Sequence, residues 1–155
     1  MQMLSKKSKY ALRALLALAR KRDREPVLIA DLAEQEGIPK KFLELILLEL
    51  KNNGMLRSKK GKGGGYFLGR EPKAISLGEV IRALDGPLAP LPCVSHTAYR
   101  KCEECEDETT CGIRAVMNDV RDATATILDR ESVADVLHRM ETLQQKKNKV
   151  LVYAI

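Results

Sequence analysis

Over the first fifty residues, apolar side chains recur every three or four positions, the spacing of one face of a helix. Tyr10, Ala11, Ala14, Leu15, Leu18 and Ala19 share such a face and predict a first helix over 5–22, with Pro26 just past its end. Ile29–Glu36 predicts a second, short helix stopped by Gly37. Pro39 opens a third, Lys40–Asn53, with Phe42, Leu43, Ile46, Leu47 and Leu50 inward and Gly54 just beyond. Proline at the first turn and glycine past the last are favoured placements. Two short helices joined at Gly37 form either a helix-turn-helix or an ordinary helical hairpin.

The period then changes. Met55–Ser58 and Tyr66–Gly69 read as two strands, with Lys59–Gly65 (KKGKGGG) as the turn between them. Gly63, Gly64 and Gly65 allow positive φ and close approach to a ligand. A nucleotide-binding loop needs a strand before it, a helix after it and a Lys-Ser/Thr pair, and this turn has neither the helix nor the pair. A flexible, solvated hairpin is one reading. The other joins it to the preceding helices as a winged helix. There the second helix of the pair enters the major groove, and the wing lies along the backbone or minor groove.

Ser76 caps a fourth helix, Leu77–Leu84, with Glu79 as reciprocal capping-box partner, and Asp85-Gly86-Pro87 ends it. Pro87, Pro90 and Pro92 make a stiff lead-in to a loop. Gly112–Asp129 is helical again, with Ile113, Val116, Met117, Val120, Ala123, Ile127 and Leu128 as a long apolar stripe. Glu131–Lys146 gives a final helix with Val133, Val136, Leu137 and Met140 inward, and Leu151–Ile155 is a short strand or docked tail. The stripe is either core or a dimer interface. A winged-helix unit of this size usually reads a two-fold site as a dimer, which favours the interface. The expected fold is mainly α with a small β-hairpin wing. Its divisions are a winged helix-turn-helix over 1–86, a cysteine-rich loop over 87–111, and a dimerisation helix with a C-terminal helix over 112–155.

Composition sharpens this outline. The chain has 155 residues, 45% hydrophobic, with no Trp and few aromatics, so its core is aliphatic. Its net charge of +6 is concentrated. Residues 51–73 carry Lys51, Arg57, Lys59, Lys60, Lys62, Arg70 and Lys73 against Glu71 alone, which points to an anionic partner. By contrast, Cys102–Cys111 encloses five acids (Glu103, Glu104, Glu106, Asp107, Glu108) and no base. With two His and no Ser/His/Asp or paired-carboxylate constellation, the chain does not read as an enzyme. Neither a signal peptide nor a membrane span is expected, since the longest apolar run near the N-terminus is Ala14–Ala19. The expected location is cytoplasmic.

All four cysteines lie between Cys93 and Cys111, with Cys102 and Cys105 between them. Packing cysteines would be scattered, so the clustering points to a metal, an iron–sulfur cluster or a redox switch. A reducing cytosol argues against structural disulfides.

The chain resembles the winged-helix transcription regulators of the IscR, NsrR and CymR type over nearly its whole length. The resemblance is carried by Ser8-Lys9-Tyr10-Ala11-Leu12-Arg13-Ala14-Leu15, by Leu43-Glu44 and by the wing Gly61-Lys62-Gly63-Gly64-Gly65-Tyr66-Phe67-Leu68. Leu77-Gly78-Glu79-Val80-Ile81 and Asp85-Gly86 extend it to the cysteine loop. It implies a homodimer on double-stranded operator DNA, with the helix after the last cysteine crossing between subunits. It also implies DNA contacts from Lys40, Lys41 and Glu44 on the third helix and from Lys59, Lys60, Lys62, Gly63 and Gly64 on the wing. The lysines would supply salt-dependent, sequence-independent affinity. Glu44 would accept a hydrogen bond from cytosine N4 or repel wrong sequences, or it is a solvated helix charge.

Cluster-binding members use three cysteines, and Cys93, Cys105 and Cys111 match those positions. Their fourth ligand is a His three residues after the last cysteine, or an Asp in the partner's first helix. Those positions are Arg114 and Lys9 here. The additional Cys102 could complete an all-cysteine site, with His96 a weaker candidate. A 2Fe–2S cluster is the expected cofactor, ahead of 4Fe–4S, zinc or none. Zinc would also accept four thiolates, and a dithiol switch would need only Cys102 and Cys105. Nearby acids disfavour a thiolate without a metal. The expected function is a DNA-binding regulator sensing redox or iron–sulfur status. The alternative is a cluster-free regulator using a thiol/disulfide switch or a protein partner.

Overall fold

In the computed structural model, which describes residues 4–154, Ser5 opens helix α1 (Lys6–Ala19) by accepting a hydrogen bond from the Ser8 amide at 3.0 Å. Ala11, Ala14, Leu15 and Leu18 form its buried face. It ends three residues before the expected position 22. The Lys21 amide bonds back to Leu18, and Asp23 and Arg24 reverse the chain, both at φ 53°. Helix α2 (Ile29–Glu36) stops at Gly37, whose left-handed backbone (φ 61°) sends the chain into α3 (Lys40–Asn52). Leu43, Ile46, Leu47 and Leu50 of α3 are buried, and Phe42 meets Tyr10 edge-on with ring centres 5.6 Å apart.

Strands β1 (Leu56–Lys59) and β2 (Gly65–Leu68) form an antiparallel hairpin that pairs Leu56 with Leu68 and Lys59 with Gly65. Both differ by one position from the sequence expectation. Met55 is held by the exit from α3, its amide donating to the Leu50 carbonyl at 3.0 Å. Val27 and Tyr66 exchange two backbone hydrogen bonds of 2.9 Å, which bring the segment before α2 against the wing root.

Helix α4 (Leu77–Asp85) begins at Ser76, which accepts from the Glu79 amide. The Glu79 carboxylate pairs instead with Arg70 at 2.5 Å. A reciprocal capping box forms elsewhere, between Ser132 and Asp135, and sets the start of α6 at Val133. Helix α5 (Gly112–Arg130) precedes it. Helix α6 (Val133–Tyr153) runs through most of the segment expected as a strand or docked tail. No Pro or Gly interrupts it, and the Ala154 amide closes its last turn on Val150. Ile155 lies outside the described residues. No helix among the described residues is long and apolar enough to cross a membrane.

One aliphatic cluster joins these elements: Leu15, Leu32, Leu43, Ile46, Leu47, Leu50, Met55, Leu56, Ile75, Val80 and Val133 are all essentially buried. Val133 is the first residue of α6, so the helical corner between α5 and α6 is fixed to the core. Two backbone hydrogen bonds of 2.9 Å clasp it there, from the Leu77 amide to Glu131 and from the Val133 amide to Ile75. Beside the clasp, Arg82 holds Asp129 with two bonds of 2.6 and 2.8 Å. Gly78 lies beneath that carboxylate; a Cβ there would stand 2.0 Å from its Oδ1. Helices α4 and α5 therefore run antiparallel. They are joined at one end, and residues 86–111 span the other.

The Arg82 hydrogen bonds hold the Asp129 carboxyl below its ordinary value, and Ser132 does the same for Asp135. A carboxyl lowered by folding adds stability above its unfolded pKa of about 3.9 and loses it as pH falls through the folded value. The Arg82–Asp129 pair is partly exposed, so it is worth about 0.2–1 kcal/mol. Asp129→Asn should lower the melting temperature at pH 7. It should have no such effect once the carboxyl of the parent protein is protonated, as thermal unfolding across the acid range would show.

Candidate DNA-reading face and cysteine loop

The buried face of α3 leaves an opposite strip in solvent. Lys41, Glu44, Leu45 and Leu48 lie along it at successive helical turns, and Lys40 stands at its start. All five are exposed. At the far end, the Lys51 ammonium donates to the Ser58 hydroxyl at 2.7 Å and so links α3 to β1. Lys59, Lys60 and Lys62 project from the wing with Gly63 between them and Tyr66. Close packing demands glycine at the next two positions. A Cβ on Gly64 would stand 2.3 Å from the Lys59 carbonyl oxygen, and one on Gly65, at φ 140°, 2.3 Å from that of Val27. The basic segment is not wholly available to a partner, because Arg70 is committed to Glu79. Leu45 and Leu48 went unremarked in the sequence reading. The signal was there: both fall outside the 43–46–47–50 spacing of the inner face.

The cysteine loop is anchored by two arginines of α5. Arg114 donates from Nε to the Cys93 carbonyl at 3.2 Å, and Arg121 donates from Nη1 to the Val94 carbonyl at 2.6 Å. They stand two turns apart on one face of the helix, a spacing visible in the sequence but not used. Cys93 and Val94 are buried. Cys111 caps α5, its Sγ accepting from the Arg114 amide at 3.4 Å. Cys111 and Cys102 both bear on the Cys105 thiol. Burial first, then Cys111, then negative charge on Cys102 and Glu108 push the Cys105 thiol up. Among the loop acids, Glu108 enters this balance. Tyr99 donates its hydroxyl to that carboxylate at 2.7–2.8 Å, while Asp107 accepts from Thr109 to build the turn.

All four cysteines are free thiols. Cys111 and Cys102 lie close enough to Cys105 to raise its thiol, and Arg114 links the Cys111 sulfur to the Cys93 carbonyl. Among the described residues, no three His, Cys, Asp or Glu side chains stand where they could hold a metal ion. Lys9 is exposed, and His96 is an exposed loop residue 4.0 Å from Asp122.

No residue of α5 is buried. Ile113, Val116, Val120, Ala123 and Ile127 follow alternating steps of three and four, with Ile113 67% and Ile127 62% exposed. This is the spacing of a helix-pairing seam. The reading of the stripe as core of this chain does not hold.

A family model described as "Iron-dependent Transcriptional regulator", Rrf2, matches residues 4–139. The chain is 42% identical to a Rhodobacter capsulatus protein named as an rrf2-like HTH-type transcriptional regulator, over 87% of this chain and 92% of that one. It is 31% identical to the Escherichia coli HTH-type transcriptional regulator IscR, over 90% of this chain and 83% of that one. Among solved structures it is similar to CymR, titled the global cysteine regulator of B. subtilis. The TM-score is 0.73 and the identity 30%, covering 90% of this chain and 98% of that one.

The wing geometry makes a direct prediction. Gly65→Ala forces backbone against backbone at Val27 and should destabilise the fold by about 1–3 kcal/mol. Lys62→Ala on the exposed turn should stay within about 0.5 kcal/mol. Urea unfolding of the two variants measures the difference.

Proposed function

The chain belongs to the Rrf2 family of transcriptional regulators, and from that premise we propose a cytoplasmic homodimer that binds operator DNA and senses iron–sulfur or redox status through its cysteine loop. Relatives are named as regulators of transcription, and the chain is a regulator rather than an enzyme. In this reading the exposed strip of α3, with Lys40, Lys41 and Glu44, enters the major groove. Lys59, Lys60 and Lys62 meet phosphates from the wing, whose approach the small Gly63 and Gly64 permit. The outward stripe of α5 pairs with its copy in a second chain and so presents two reading helices to one duplex.

The observation that carries the sensing half is Arg114 at the start of α5, whose amide donates to the Cys111 sulfur and whose Nε donates to the Cys93 carbonyl, while Cys111 and Cys102 raise the Cys105 thiol. Four thiolates are a suitable donor set for an iron–sulfur cluster, 2Fe–2S being the form proposed, and the family is described as iron-dependent. When bound, such a cluster supplies a redox-active iron centre. Cys93, Cys102, Cys105 and Cys111 would hold it, and the Arg114 amide already donates to one of those sulfurs. The Cys105 thiol, pushed up by burial and by Cys111, would have to release its proton to serve as a ligand. Holding a cluster would require the loop between the end of α4 and the start of α5 to bring these sulfurs to ligand spacing. The influence of Cys111 on the Cys105 thiol favours a second reading, in which those two thiols form the switch without iron.

Anaerobic purification should give coloured protein with iron and sulfide in equal amounts. Cys102→Ser should lose most of both while keeping its helical circular dichroism. Colourless, iron-free parent protein, or full iron in Cys102→Ser, would contradict the four-cysteine site.

A further inference from the structure

Leu45 and Leu48 lie on the outer strip of α3, 63% and 48% exposed, yet they serve neither core packing nor phosphate binding. The core side of α3 is filled by Leu43, Ile46, Leu47 and Leu50. One turn apart, the two leucines make a small apolar patch beside Glu44. Cations surround it: Lys40 and Lys41 at one end, Lys51 at the other, and the wing lysines beyond β1. That setting selects the occupant. An apolar protein surface would gain nothing from a rim of lysines, whereas a duplex offers phosphates at the rim and base edges at the centre. The apolar group on a base edge in the major groove is the thymine methyl.

We propose that Leu45 and Leu48 read thymine methyl groups and so set sequence preference on this helix. The inference rests on the reading that α3 docks in the major groove. Three residues of helix advance about 4.5 Å, against about 3.4 Å per base step. The two leucines therefore meet thymines on neighbouring or next-neighbouring base pairs. Glu44 precedes Leu45 directly and reaches a cytosine within about one step of the first thymine.

The test uses the intact protein and DNA alone. Duplexes bound from a random pool give a preferred site. Each thymine of that site is then replaced in turn by deoxyuridine, which lacks only the methyl. The expected result is a loss of about fourfold per contacted methyl at one or two positions. That loss should vanish in Leu45→Ala or Leu48→Ala. If no deoxyuridine substitution weakens binding while Lys60→Ala still does, the thymine inference fails and the DNA reading stands. If no duplex is selected and Lys60→Ala changes nothing, the docking reading falls and the inference with it. Leucine variants that bind DNA like the parent but lose a co-purifying protein would assign the patch to that protein and overturn the proposal. Because the deoxyuridine arm alters only the DNA, it decides even if a leucine variant folds poorly.

Discussion

Two backbone hydrogen bonds, Leu77 to Glu131 and Val133 to Ile75, hold α5 and α6 to the core beneath the wing. The rest of the arrangement follows from that clasp. It buries Val133 with the residues that α1, α3 and α4 contribute, and it brings Asp129 over Gly78 to Arg82. One end of the α4–α5 pair is thereby fixed, and the cysteine loop bridges the other. At that second end, Asp85 accepts hydrogen bonds from the Ser5 amide and hydroxyl at the cap of α1. Burial opposes ionisation of Asp85, but the Ser5 bonds and nearby Lys7 outweigh it and keep its carboxyl below the ordinary value. A loop that changes shape thus acts on a helix end tied directly to α1, which packs against α3 and the wing. Under the proposed function this is the physical route from thiols to DNA.

Charge is partitioned along the same axis. The lysines of α3 and the wing face solvent without internal partners strong enough to withdraw them, apart from the Lys51–Ser58 bond. Two of the five acids of the loop help build it: Asp107 forms a turn with Thr109, and Glu108 receives Tyr99. Arg114 and Arg121 of α5 add positive charge to that of Arg100 and Lys101 in the loop beside Cys102. They complement the carbonyls of a tight turn and bring cationic charge to sulfurs that ligation would make anionic.

Much of this was legible in the chain. Helical spacing located all six helices, and the change to a basic glycine-rich segment located the wing. The errors have local causes. Met55 joins the exit from α3, and the bounds of both strands lie one position nearer the turn. The Glu79 carboxylate turns to Arg70, and Ser132–Asp135 forms the full capping box instead. The apolar C-terminal segment continues α6 because nothing in it breaks a helix. Site residues were harder to read, because their roles depend on facing. Leu45 and Leu48 look like core residues until the inner face of α3 is already full. Arg114 looks like the loss of a family ligand, whereas in the structure it ties Cys93 and Cys111 to one helix.

The most direct test is operator affinity of the same protein before and after anaerobic iron removal by a chelator, measured at one salt concentration. The account predicts a change of about 5–150-fold, the usual span of coupling between two sites, abolished when all four cysteines are Ser. Equal affinity with and without iron would contradict it, showing that the cysteine loop does not control the reading helix through bound iron.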